Sequence, residues 1–162
     1  MSKKDTSKEL VAAKGFFRLQ IEEGGKVVGD SGWKQNQVTN VGFDQYLCQT
    51  VAGMGGSKTV AYAIIGTGTA PGAAATALDG EITDAADMRC AVTPTTINSK
   101  TVQFAFTLAS NKITAAKTIQ NVGLINHSST ATAGTILCGN TYTTSALATN
   151  QSINGSYQLR FS

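Results

Sequence analysis

The chain has 162 residues, a length that suits one domain, and 41% of them are apolar, enough to build a core. Charged residues are only 14%, against roughly 25% in average globular proteins. That scarcity excludes a typical disordered chain, and no apolar run approaches the ~20 residues of a membrane span. The net charge of +3 is unevenly placed: residues 1–18 hold Lys3, Lys4, Lys8, Lys14 and Arg18 against Asp5 and Glu9, and the remainder balances.

Residues 1–15 therefore read as a basic N-terminal arm, suited to an acidic protein surface and ordered only on contact, with residues 16–162 as a single domain. No apolar stretch follows Lys3 and Lys4, so no signal peptide is expected, and neither a membrane nor a nucleic acid is expected as a partner.

Residues 16–22 alternate well enough for a strand, Gly24-Gly25 supplies a turn, and residues 26–33 return as a second strand. Trp33, the single tryptophan, is expected to anchor this hairpin onto the core. Thr39 or Asn40 can cap a helix over about 41–52, where Phe43, Leu47 and Val51 share one face and Tyr46 extends it. Residues 59–65 make an apolar strand, and 66–77 form a long loop of small residues, expected to lie on a surface or against a neighbour.

The second half reads as strands near 87–96, 101–109, 113–125, 134–142 and 152–161. Asn98-Ser99-Lys100 and Ser110-Asn111-Lys112 are turn clusters between them. Val102, Phe104, Phe106 and Leu108 alternate with period two, as do Tyr157, Leu159 and Phe161, so one face of each strand is buried. The expected fold is mainly β: an antiparallel β-sandwich, jelly-roll-like, with one helix near 41–52 and the arm.

Groups that carry chemistry are few. His127 is the single histidine and falls in a polar turn, where a surface role is far commoner than a catalytic one. The stretch Gly53 to Thr59 fails the spacing of a phosphate-binding loop, because Ser57 separates the last glycine from Lys58. It also follows a helix, the reverse of the order that motif requires. Asp79, Glu81, Asp84 and Asp87 could offer oxygens to Ca²⁺, yet lack the spacing of an EF-hand, and a solvated turn is the commoner meaning. Cys48, Cys90 and Cys138 are odd in number and widely spaced, with no C-x-x-C, so they read as buried, reduced thiols, a disulfide between two of them or between chains being the alternative. No catalytic residue, cofactor or metal site is expected. The candidate interaction residues are Lys3, Lys4, Lys8 and Lys14 in the arm and Gly66, Thr67, Gly68 and Thr69 in the loop.

Three stretches carry a family resemblance: residues 33–42 (WKQNQVTNVG), residues 63–69 (AIIGTGT) with Ala77-Leu78 and Glu81-Ile82 beyond, and residues 121–126 (NVGLIN) followed by 134–138 (GTILC). In this order they resemble a group of small tailed-bacteriophage structural proteins with "V-T-N-x-G", "I-G-T-G-T" and "E-x-G-L-F-N … G-T-L-L-x-R". The likeness spans about residues 26–161, with Asn121 where the family usually has Glu and Gly139 where it usually has Arg. It implies a virion component without catalytic residues, assembled in the host cytoplasm. The first expectation is a capsid decoration or cement protein that packs as a trimer or other homo-oligomer on the major capsid protein or other virion proteins. A neck, tail or fibre-attachment part is the alternative. A third, of another class, is a carbohydrate-binding module using Trp33, Tyr62, Tyr142 and Tyr157.

Overall fold

Alternation decides the first strand. In the computed structural model, which describes residues 11–85, 88–128 and 134–162 (for 143–145 the backbone only), β1 spans Ala13–Glu23. Its Phe17, Leu19 and Ile21 turn inward while Phe16, Arg18 and Gln20 face outward. The chain then forms β2 (Lys26–Asp30), β3 (Lys34–Val38), a helix over 40–51, β4 (Tyr62–Gly66), β5 (Cys90–Ala91), β6 (Thr93–Asn98), β7 (Thr101–Leu108), β8 (Lys117–Ile125), β9 (Ile136–Leu147) and β10 (Ser152–Phe161). The strand order is β5-β4-β8-β9-β3-β1-β10-β7-β6, with β2 also on β1, and every pairing is antiparallel.

The two faces of this sandwich-like body are joined at both corners by strands that change partners. In β3, residues 34–36 pair with β1, whereas Gln37 and Val38 pair with β9. At the opposite corner β5 pairs with β4, and after Val92 the same chain pairs with β7 as β6. Strands that switch sheets in this way nearly close the sheet into a barrel. The expected mainly β, antiparallel architecture is present.

The core runs between the two faces. Tyr157 on β10 is fully buried, with its ring 4.6 Å from that of Phe17 and 6.1 Å from that of Phe104. Gly155 faces Leu19 across one ladder and Phe106 across the other, and the Phe106 ring occupies the space a β-carbon would need. β4 and β8 are buried on both faces from Ala63 to Gly66 and from Asn121 to Ile125. A second cluster of Ile64, Leu78, Ile125 and Ile136 covers their outer side. Such strands read as continuous apolar runs, as the sequence does at 63–65.

Several expectations are corrected here. The strand begins at Ala13, so Lys14 belongs to β1 and lies opposite Arg160, not in an arm. The strand expected at 26–33 stops at Asp30, where Gly32 adopts φ +62°, and the chain resumes as β3. Trp33 lies in that break and is 39% exposed, so it is no core anchor. Of the three cysteines, Cys90 and Cys138 are buried as expected but Cys48 is exposed; all three are free thiols.

The helix forms where expected, with Thr39 as its N-cap: the Thr39 hydroxyl accepts from the Gly42 N–H at 2.9 Å. Its middle, Phe43–Cys48, is π-helical between α-helical turns Asn40–Gly42 and Gln49–Val51. Tyr46 is buried in the core, its hydroxyl donating to the Thr135 carbonyl, and Leu47 packs against the core in part. Phe43 and Val51 face outward. The helical period was legible; the side it presents to the core was not.

Candidate functional site

The loop after β4 was one predicted site, and it folds down onto its own sheet. The Thr67 N–H donates to the Gly80 carbonyl at 2.9 Å, and both the N–H and hydroxyl of Thr69 donate to the Asp79 carboxylate at 2.8 and 2.9 Å. These bonds hold the Asp79 carboxyl below its ordinary range. Gly66 and Gly68 have no room for a β-carbon, because Asn121 and Asp79 stand against them. Further along, Pro71 is buried on Gly139, and the Asn121 amide donates to the carbonyls of Thr69 and Asp79 at 2.7 and 2.8 Å. The close approach that small residues permit is thus used within the chain. The outer side of the loop, at Thr67, Thr69, Ala70 and residues 72–74, stays exposed.

The segment after this loop is fixed by a buried ion pair. Arg89 donates to both oxygens of Glu81, at 2.7 and 3.0 Å, and to the His127 carbonyl at 2.9 Å. Their side chains are 4% and 14% exposed. Asp84 takes Lys117 at 2.8 Å and the N–H and hydroxyl of Thr114, and the Lys117 bond does most to hold its carboxyl below the usual range. Each described member of the expected acidic cluster therefore has its own partner, and Asp87 lies outside the described residues. Among the described residues no three His, Cys, Asp or Glu converge as a metal site, and no helix is long and apolar enough to cross a membrane. His127 is exposed on its turn.

A polar knot sits in the core where β3, β9 and β10 approach Gly15. Burial pushes the Cys138 thiol up to about 12 and raises the Tyr157 hydroxyl well above its ordinary value. Asn36 and Tyr157 crowd the space beside the Gly15 α-carbon, which only glycine can leave open.

The predicted interaction residues are not brought together. Lys14 is exposed on β1, Gly66–Thr69 stand at the end of β4, and Lys3, Lys4 and Lys8 lie outside the described residues. What the sequence reading missed is an apolar groove of about 490 Å³ between the helix and the paired chain ends. Phe43, Leu47, Cys48 and Val51 line it from the helix, Val11 and Phe161 from the ends. Ala12 and Ser162 exchange two backbone hydrogen bonds at its edge. The helical stripe at Phe43, Leu47 and Val51 was the signal for this groove, taken for a core face.

Of the four aromatics suited to stacking on sugar, Tyr142 and Tyr157 are buried. The strand edges are blunted. β6 lacks one N–H at Pro94 and carries a register shift between Thr96 and Asn98, and β1 and β2 are out of register between Ile21 and Glu22. Compared with family models, curated proteins and solved structures, the chain matches none.

Proposed function

We propose that this chain is a non-enzymatic structural component of a tailed-phage particle, a capsid decoration protein that acts by packing against copies of itself and the shell. The observation that carries this reading is the convergence of the three stretches in which the resemblance resides. Thr39 donates its hydroxyl to the Ile136 carbonyl at 2.9 Å and its N–H to Leu137 at 3.0 Å, joining the first stretch to the third. Asn121 bonds to Thr69, joining the third to the second. Ile64, Leu78, Ile125 and Ile136 pack in one cluster. Motifs scattered through the sequence thus build one unit, as shared structural motifs should. The two departures from the family pattern also meet there: Pro71 rests on Gly139 and Thr69 on Asn121, where relatives would place Arg and Glu.

The remaining features agree with adhesion as the task. The chain is thinly charged, an apolar groove stands open, and Glu81, Arg89, Asp84 and Lys117 are spent on internal pairs. Many modest contacts repeated over copies give firm attachment without any strong single site. Quantitative gel analysis of purified particles tests the proposal. Hundreds of copies are expected on a shell of repeated capsomers, a dozen or fewer would move the chain to the neck or tail, and its absence from particles would refute a virion role.

A further inference from the structure

We infer that the groove between the helix and the chain ends is a self-association surface, seating the helix of a second copy of this chain about a twofold axis. This names one contact of the adhesive role proposed above and rests on that reading.

The first support is area. Val51 is 90% exposed, Val11 83%, Met54 55%, Phe43 40% and Phe161 36%, all around one groove or on the turn that follows its helix. With backbone included, these five residues expose roughly 500–600 Å², the upper end of what monomers leave open and a large part of the ~800 Å² per partner in a standard interface.

The second support is shape. Val51 projects from the last helical turn beside a hollow bounded by Leu47 and Phe161, so antiparallel helices can each place that valine in the other's groove. A twofold contact must be complementary to itself. Lys14 and Arg160 alternate to the opposite face of their strands from Ala13 and Phe161, where Arg160 lies over the Phe16 ring, so the groove itself is lined by apolar residues and Cys48. Past the helix, nothing lies within 4 Å of where β-carbons of Gly53 and Gly55 would stand, so a partner's backbone can come close.

Cys48 provides the readout. It lines the groove and is exposed, whereas Cys90 and Cys138 are buried, so a thiol reagent reports on this surface. The full chain is examined by sedimentation over a concentration series, with Cys48 alkylation rates measured in parallel. A concentration-dependent dimer is expected, with alkylation slowing as it forms. Val51→Glu should weaken dimerisation at least about tenfold, with an unchanged melting curve at concentrations low enough for both proteins to be monomeric, because the side chain is exposed in the single chain. A chain that stays monomeric throughout overturns the inference. So does a dimer indifferent to Val51→Glu whose Cys48 reacts at a constant rate; copies then meet elsewhere, and the adhesive role stands. Dimerisation that appears only after deletion of residues 1–10 also overturns it, since the groove's occupant would then be the chain's own start. The virion role fails separately, in the particle count.

Discussion

Replacing Glu81 by Gln removes the carboxylate from a guanidinium that is 4% exposed and keeps the side-chain length. Breaking a buried pair from one side costs about 3–5 kcal/mol, because a charge is left in a poor solvent. Glu81 itself is 14% exposed and the amide keeps one acceptor for Arg89, so about 3 kcal/mol is expected. In a domain of this size that lowers the melting temperature by roughly 6–12 °C. The loss should be local before it is global. Glu81 bridges to Gly66, and the Ile82 N–H donates to Ile65 at 3.0 Å, so the pair pins this segment to β4. Hydrogen exchange at Thr67 and Ile82 should quicken first. The double change Glu81→Leu with Arg89→Met removes both charges and should recover to within about 1 kcal/mol of the parent, since an apolar pair escapes the desolvation penalty. The His127 carbonyl, on an exposed turn, then turns to water. Chemical denaturation of the parent, Glu81→Leu, Arg89→Met and the double variant closes the cycle. Single changes within about 0.5 kcal/mol of the parent, or effects that simply add, would refute the assignment of Glu81 and Arg89 as a buried coupled pair.

Gly155→Ala should cost about 1–3 kcal/mol by driving a methyl into the Phe106 ring, and Phe106→Leu in the same chain should return part of it; a neutral Gly155→Ala would contradict the packing. Trp33→Ala should cost about 2 kcal/mol, below the ~3–5 of a fully buried ring, as read from the denaturation midpoint. Stability should fall as pH drops through and below about 4, because Asp30, Asp79 and Asp84 have lowered pKa values in the folded chain and the unfolded chain takes up protons first. At the alkaline end the raised Cys138 thiol reverses the sign: its contribution is complete below ~8.5 and is lost progressively toward about 12, so Cys138→Ala should flatten the decline between pH 8.5 and 10 in a melting series.

How far the sequence foretold this molecule depends on whether local pattern or distant contact fixed each feature. Strands β7 and β10 were legible because their apolar residues alternate with period two, and Asn98 closes the turn before β7 by accepting from the Lys100 N–H at 2.9 Å. The helix start was legible because a threonine side chain caps its own first turn. The corners were not. Nothing local in residues 34–38 says that β3 leaves β1 for β9 halfway along, since that depends on where β9 lies a hundred residues later. The groove failed for a different reason. An apolar stripe at helical spacing is the same signal whether it meets the chain's own core or another chain, and Phe43, Leu47 and Val51 satisfy either. Only tertiary structure shows that Tyr46 is the helix's buried core contact and that Leu47 reaches the core in part, while Phe43 and Val51 stay exposed. An error of that kind has content: the burial expected at Phe43 and Val51 is not met within one chain. If that burial is real it is completed between chains, and the exposed thiol of Cys48 is placed to report it.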